Sequence, residues 1–155
     1  ARCTVIGVSN VGKSSLINSL AIKKVAATGN KPGVTKGNQL VAISGKIELL
    51  DTPGLLWPKF EGNIGSNLAL TGAVSDNIYN LEEAAVYLTE LLNFKKYIGI
   101  DDPLKELLAY GENRGILAKG GVVDEEKTAL LYLKDYRNGK LGRISLEWIE
   151  DYGFN

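Results

Sequence analysis

Apolar and polar positions follow different patterns in the two halves of the chain. The first half has short β-branched runs separated by Gly, Pro and Thr. In the second half, apolar residues recur at the three- and four-residue spacing of amphipathic helices. The pattern changes near residue 75. We therefore predict an α/β fold in two domains, a small sheet-forming domain over 1–75 and a small all-α domain over 76–155.

The first half predicts three strands and one helix. The run at 4–8 is β-branched and typical of a buried strand, and a helix at 13–23 follows it. Strands at 39–43 and 46–50 are close enough along the chain to form a tight hairpin. The helix is expected to bury an apolar face formed by Leu16, Ile17 and Leu20.

The second half predicts helices with recognisable starts. Asn80 and Glu83 have the spacing of a capping box, Asp102 precedes a proline at a first helical position, and Asp124 starts a third helix. A last short helix is expected at 145–150. The first of these helices has an apolar stripe of Leu81, Ala84, Ala85, Leu88, Leu91 and Leu92. The third is expected to bury Leu130, Leu131, Leu133 and Tyr136.

Composition limits the chemistry available to the chain. Its 155 residues include 18 Lys or Arg, 18 Asp or Glu, no His and a single Cys, Cys3. Imidazole catalysis and an internal disulfide are therefore excluded within this chain. No apolar run approaches the roughly 20 residues of a membrane helix, and the opening residues do not form a signal peptide. No membrane partner is expected.

Charge is spread unevenly along the chain. Residues 1–75 contain eight Lys or Arg against three Asp or Glu, and 76–155 contain ten against fifteen, which gives net charges of +5 and −5. Any RNA contact in the second half must therefore be local. The candidate patch consists of Lys134, Arg137, Lys140 and Arg143, with a solvated charged face as the alternative. Trp57 and Trp148 are expected to be core residues and not base-stacking platforms.

A phosphate-binding motif lies between the first predicted strand and the first predicted helix. Residues 7–14, GVSNVGKS, match GxxxxGK[ST] at every fixed position. In this P-loop, backbone N–H groups and the helix N-terminus attract phosphate. Lys13 would neutralise the β- and γ-phosphates, and the Ser14 hydroxyl would bind Mg²⁺. An accidental Gly-rich turn is the alternative. The expected nucleotide-binding residues of the loop are Ser9, Asn10, Val11, Gly12, Lys13, Ser14 and Ser15.

A second motif, DTPG at 51–54, follows the strand predicted at 46–50. The Asp51 carboxylate can hold Mg²⁺ from the side opposite Ser14. Gly54 can present its N–H to the γ-phosphate because no side chain blocks the approach. The pairing of this motif with a P-loop is hard to explain by chance.

A polar loop at 28–35 lies between the two motifs. Thr35, with Thr28 as second choice, can close on Mg²⁺ with its hydroxyl and on the γ-phosphate with its N–H, so that the loop acts as a switch. A solvated loop is the alternative. The expected metal ligands are Ser14, Thr35 and Asp51. The expected catalytic residues are Lys13, Thr35 and Gly54.

In this order, the three motifs resemble G1, G2 and G3 of the translation-factor class of small GTPases. The run DTPGLLWPKF at 51–60 is similar to the circularly permuted ribosome-assembly GTPases of the YlqF/RbgA family, as are GENRG at 111–115, GGVVD at 120–124 and GKLGR at 139–143. The resemblance covers nearly the whole chain. It implies a partial P-loop NTPase (G-domain) sheet followed by a helical domain, with the motif order G4-G5-G1-G2-G3.

The absence of a guanine-reading motif after Gly54 fits this permuted order. A conventional GTPase has Asn-Lys-x-Asp after its DTPG motif, but no Asn beyond Gly54 is followed by Lys, and Asn30-Lys31 lacks the aspartate. In a permuted protein the motif would precede Ala1. We therefore expect that the chain lacks the N-terminal part of its G domain, so its sequence does not establish base specificity.

Two positions differ from Ras-like chemistry. Leu55 and Leu56 follow Gly54 where Ras-like proteins place a water-orienting Gln, and leucine cannot orient water. The resemblance implies a catalytic group from elsewhere, so hydrolysis by this chain alone should be very slow. Asn10 resembles the P-loop Asn with which related GTPases use K⁺ to offset transition-state charge. A polar loop residue is the alternative.

The resemblance and the motifs together predict an enzyme, a GTP-binding and GTP-hydrolysing assembly factor for the large ribosomal subunit, switched between GTP and GDP with Mg²⁺. The expected partners are the large subunit or its precursor and rRNA, without DNA or membrane. A cytoplasmic monomer is expected, although some relatives act in mitochondria or the nucleolus. Two other classes stay open: an ATP-using P-loop enzyme, and a non-catalytic RNA-binding module with a structural nucleotide site.

Overall fold

The computed structural model describes residues 1–21, 26, 36–44, 47–54, 63–96, 102–142, 144–147 and 153. The strands in these ranges are β1 Arg2–Val5, β2 Gln39–Ser44 and β3 Ile47–Asp51. The helices are α1 Lys13–Leu20, α2 Ile64–Leu70, α3 Leu81–Lys96, α4 Pro103–Asn113 and α5 Glu125–Arg137. Of the helices described, none combines the length and the apolarity that crossing a membrane requires.

The chain divides into two compact units. One consists of Ala1–Gly62 and Gly72–Ser75, and the other of Asn63–Thr71 and Asp76–Asn155. The first unit contains the sheet and α1, and the second contains α2 to α5, so both of the expected architectures are present. The domain boundary at residue 75 stays a prediction. The sequence pattern gave no indication of α2.

The sheet has the order β1-β3-β2, with β1 parallel and β2 antiparallel to β3. The antiparallel pair confirms the predicted hairpin. The first strand was predicted wrongly: it spans Arg2–Val5, and the chain leaves it at Ile6 to start the P-loop. It is also largely exposed, because in the described ranges β1 has a sheet neighbour on one side only.

One residue of α1 provides the main contact of this helix with the core of its unit. Ile17 is fully buried in a cluster with Ala26, Val41 and Leu49. The predicted apolar face is otherwise wrong, since Leu16 and Leu20 are 53% and 49% exposed. The helix described here has only eight residues, and Ile17 is the one among them that is buried.

The helix starts follow the predicted caps. The amide of Glu83 donates to the Asn80 side chain at 3.1 Å. Asp102 accepts from the amides of two first-turn residues of α4, and Asp124 accepts from the Lys127 amide at 3.1 Å. Each cap satisfies backbone donors that the helix leaves unpaired. The last predicted helix is not formed over 145–147, and 148–150 lie outside the described residues.

The core of the helical unit consists of Leu70, Ala84, Ala85, Leu88, Leu92, Leu107, Ala129, Tyr132 and Leu133. The α3 stripe is therefore largely confirmed. For α5 the predicted face is partly wrong: Leu130 is 44% exposed, Leu131 and Tyr136 are half-buried, and Tyr132 is buried instead. Consecutive apolar residues obscure which side of this helix faces the core.

A buried carboxylate on α5 connects the helices. Asp135 accepts hydrogen bonds from Lys140 Nζ at 2.8 Å and from the Tyr110 hydroxyl at 2.7 Å, and Arg114 lies 3.2 Å away. The bond from Lys140, followed by that from Tyr110, lowers the pKa of Asp135 below its ordinary value. Burial, together with the bond to Asp135, raises the pKa of Tyr110 to about 12.

Asp135→Asn should lower the free energy of unfolding of the helical unit by about 1–3 kcal/mol at pH 7, because charge-assisted hydrogen bonds to a buried group are lost. The folded pKa of Asp135 is lower than the unfolded one. Its contribution is therefore complete above the unfolded pKa, ordinarily about 3.9 for Asp, and is lost as the pH falls through the folded pKa. Urea unfolding of both proteins at pH 7 and pH 3 measures this, and a difference that does not shrink in acid contradicts it.

Candidate nucleotide-binding site

The segment between β1 and α1 forms a loop with unusual backbone conformations. Asn10 and Gly12 have positive φ angles of 59° and 94°. Asn and Gly are the residues that accept this region most readily. The helix begins at Lys13, so the loop ends at a helix N-terminus whose backbone N–H groups have no partner within the helix. Such an end attracts phosphate.

Lys13 remains close to its own loop. Its ammonium donates a hydrogen bond to the Val8 carbonyl at 2.7 Å. An ammonium has three N–H donors, so this single bond leaves it able to bind phosphate oxygens.

The end of the P-loop meets the end of β3. The Ser14 hydroxyl donates to Asp51 Oδ2 at 2.8 Å, and Asp51 is fully buried. The register explains the proximity, because Asp51 is paired with Val5 in parallel strands. Loops that follow two neighbouring parallel strands leave the sheet at the same edge. A hydroxyl and a carboxylate are also the oxygen donors that Mg²⁺ prefers, so the pair fits this ion.

The DTPG turn packs directly on the P-loop. A Cβ atom placed on Gly54 would lie 2.3 Å from the Cα and 2.4 Å from the N of Ser9, which no side chain can occupy. Thr52 also donates through Oγ1 to the Val5 carbonyl at 2.8 Å. The absence of a side chain at Gly54 therefore allows the two loops to touch.

Two further contacts of the P-loop were not predicted from the sequence. Asn10 Nδ2 donates to the Gly72 carbonyl at 3.1 Å, and the Ser9 hydroxyl donates to the Ala73 carbonyl. The residues of each pair are more than sixty positions apart. No local motif marks Gly72 or Ala73, and a search for phosphate-binding sequences does not find them.

The structure therefore brings most of the candidate residues together. Ser9, Asn10, Lys13, Ser14, Asp51 and Gly54 belong to one set of contacts. Val11, Gly12 and Ser15 are exposed. The remaining candidates of the sequence analysis lie outside the described residues: Thr28, Thr35, Leu55 and Leu56.

Two of the four residues in the candidate RNA patch, Arg137 and Lys140, are not free cations. The Arg137 guanidinium bonds to carbonyls and side chains of its own unit, and Lys140 is paired with Asp135. Lys134 is exposed. Charge alone could not separate solvated cations from internally paired ones. Arg143, Trp57 and Trp148 lie outside the described residues.

A strand, a GxxxxGK[ST] loop and a helix, beside a parallel strand that ends in a buried carboxylate, form the architecture of P-loop NTPases. Residues 2–117 match the family described as "50S ribosome-binding GTPase". The chain belongs to that family.

Relatives and solved structures agree with this assignment. Ribosome biogenesis GTPase A of Bacillus cereus is 45% identical over 98% of this chain and 55% of its own length, and that of Thermotoga maritima is 35% identical over 97% and 58%. The chain thus spans little more than half the length of these relatives.

The solved structures include a GDP-bound YlqF, with a TM-score of 0.75, 28% identity, and coverage of 97% of this chain and 62% of that chain. A GNP-bound YlqF from T. maritima has a TM-score of 0.70, 31% identity, and coverage of 95% and 59%. The α/β fold class and the resemblance to the YlqF/RbgA family are confirmed.

Proposed function

We propose that the protein containing this chain is a GTPase that assists assembly of the large ribosomal subunit and alternates between GTP- and GDP-bound forms. The observation that carries the proposal is the 2.8 Å hydrogen bond between Ser14 Oγ and the buried Asp51. It joins the phosphate-binding loop and the DTPG turn at one point. The names of the relatives, and the GDP and GNP in the matched structures, support guanine nucleotide and a ribosomal partner.

The proposed roles follow from these contacts. Lys13 exchanges its bond with Val8 for bonds to the β- and γ-phosphate oxygens. Ser14 and Asp51 would hold Mg²⁺, which when bound offsets phosphate charge. Gly54 packs against Ser9 of the P-loop, and its backbone N–H is the proposed donor to the γ-phosphate. Thr35 stays the candidate for closing the switch loop.

Catalysis in this proposal depends on positioning and on the partner. The chain has no His, and leucines follow Gly54, so it contains no obvious group to orient the attacking water. Hydrolysis is therefore slow until the large subunit or its precursor, with its rRNA, completes the site. The proposed location is the cytoplasm and the proposed state is a monomer.

K⁺ is part of the proposal through Asn10. Its amide nitrogen donates to the Gly72 carbonyl at 3.1 Å, which fixes one end of the side-chain amide. The other end is a carbonyl oxygen, the kind of ligand that alkali cations bind. K⁺ held there would offset charge that develops on the phosphates.

The experiment measures nucleotide affinity and single-turnover hydrolysis on the full-length protein, with GTP or ATP, with or without purified large subunits, in equal KCl or NaCl. We expect preference for GTP, acceleration by large subunits and faster hydrolysis in KCl. Preference for ATP would indicate the P-loop ATPase class. Binding without acceleration would indicate the RNA-binding module. Equal rates in the two salts would overturn the role of Asn10 in K⁺ binding.

A further inference from the structure

Two consecutive side chains of the P-loop bind two consecutive carbonyls of the turn at 72–75. Ser9 bonds to Ala73, and Asn10 bonds to Gly72. Gly72 and Ala73 are buried, so their carbonyls need hydrogen-bond partners, and the P-loop supplies them. Ser9 is buried too and is in contact with Gly54. A displacement of the 72–75 turn would therefore move both P-loop residues and disturb the DTPG contact.

Arg137 of α5 holds the chain on both sides of the same turn. Before the turn, its Nη2 and Nε donate to the carbonyls of Ala69 and Leu70 at 2.8 and 3.1 Å. After the turn, its Nη2 and Nη1 bond to the Asp76 carboxylate at 2.8 and 3.2 Å, and Nη2 bonds to the Tyr79 hydroxyl at 2.7 Å. All three nitrogens of the guanidinium are thus engaged.

The chemistry of this cluster makes it specific for arginine. The side chain of Arg137 is only 23% exposed, and its planar fork reaches several acceptors at once, which a lysine ammonium cannot do. The hydrogen bond from Arg137 lowers the pKa of Asp76, because it stabilises the ionised carboxylate. Burial, and then the bond to Asp76, raises the pKa of Tyr79 to about 12, so its hydroxyl stays protonated.

We propose that Arg137 is a positioning residue for the nucleotide site. It fixes residues 69–70 and 76–79, which continue covalently into the 72–75 turn, and the carbonyls of that turn fix Ser9 and Asn10 of the P-loop. The inference rests on the proposed function in one respect, that this P-loop binds nucleotide. Under this inference Arg137 influences nucleotide affinity measurably, although it is far from the P-loop in sequence and need not contact phosphate.

The alternative role for Arg137 is structural, in that it stabilises the helical unit alone. Tyr110→Phe provides the matched control, because it removes a buried hydrogen bond to Asp135 in the same unit but none of the contacts at 69–79. Arg137→Met keeps a long side chain without the donors. Arg137→Lys keeps the charge without the fork.

The test measures hydrogen exchange of the amides at 8–14 without nucleotide, and the Kd for Mg·GDP, on the full-length protein. We expect Arg137→Met to speed exchange at 8–14 several-fold and to raise the Kd about 5-fold, the lower end of ordinary coupling between sites. Arg137→Lys should restore only part of the difference. Tyr110→Phe should leave both quantities unchanged while lowering the midpoint of thermal unfolding.

The outcomes separate this inference from the proposed function. If wild type binds GDP and Arg137→Met changes neither quantity, the positioning role is overturned and the proposed function stands. If wild type binds no guanine nucleotide while Arg137→Met still speeds exchange at 8–14, the proposed function is overturned and the positioning role stands. Equal effects of Arg137→Met and Tyr110→Phe also overturn the positioning role. Should Arg137→Met fail to fold, Asp76→Asn weakens the same contacts of Arg137 with residues 76–79 more mildly and gives the same comparison.

Discussion

Lys13→Ala is expected to abolish nucleotide binding in practice, raising the Kd for Mg·GTP by about 100-fold or more. The ammonium lies 2.7 Å from the Val8 carbonyl, so it is already held at the P-loop where phosphates would bind. Its loss removes charge-assisted hydrogen bonds worth about 1.5–3 kcal/mol each and leaves phosphate charge uncompensated. Fluorescence titration with a labelled nucleotide measures the effect.

A matched control separates this local effect from a general loss of positive charge. Lys105→Ala removes one exposed cation from α4, where its partner is Asp102, and should leave the Kd unchanged. The fold of the Lys13 variant should also persist, because the side chain donates to a single backbone carbonyl. A Kd within about 3-fold of wild type would overturn the assignment of the phosphate site to this loop. RNA binding by the Lys13 variant at the wild-type level would favour the RNA-binding module, for which this lysine should scarcely matter.

The parts of the fold that the sequence predicts are those determined by local physics. The caps at Asn80, Asp102 and Asp124 depend on side chains that bond to amides two or three residues away, so spacing alone identifies them. The meeting of Ser14 with Asp51 is also predictable, although the two are far apart in sequence. It needs only a P-loop motif, a strand that ends in Asp and the tendency of neighbouring parallel strands to end at one edge.

The parts that the sequence does not predict are determined by tertiary contacts. The helix α2 has only seven residues, its N-cap residue Asn63 makes no side-chain capping bond, and its first turn has no acidic residue. On α5, four of the five residues at 129–133 are apolar, and only packing selects Tyr132 over Leu130 for the core. The sequence places Arg137 in a candidate RNA patch because charge is visible in sequence, while its partners are visible only in the folded chain.

The contacts between the P-loop and the 72–75 turn have the same origin. Ser9 and Asn10 are ordinary variable positions of the GxxxxGK[ST] pattern, so the motif predicts nothing about their side chains. Their acceptors are backbone carbonyls, which every residue has. Only the fold determines which carbonyls become buried and need a donor.

Gly54→Ala is expected to disable the site as severely as the loss of Lys13, by a different cause. The new methyl group would lie 2.3 Å from Ser9 Cα, 2.4 Å from Ser9 N and 2.7 Å from Ser9 Cβ. Two of these atoms belong to the backbone and the third is attached to it, so rotation of a side chain cannot relieve the clash. Either the DTPG turn or the P-loop must shift. A displacement of about 1 Å at a catalytic site costs on the order of 100-fold in rate.

Gly37→Ala is the matched control for Gly54→Ala, because a Cβ there meets nothing within 4 Å. In the Gly54 variant, the rate of single-turnover GTP hydrolysis with large subunits should fall steeply and the Kd for Mg·GTP should rise, whereas both should stay at wild-type values in the control. The strand β3 ends before the substitution, so its pairing with β1 and β2 should survive, and circular dichroism should be nearly unchanged. If the two alanine variants behave alike, the Ser9–Gly54 contact does not constrain the site, and the placement of the γ-phosphate beside Gly54 fails with it.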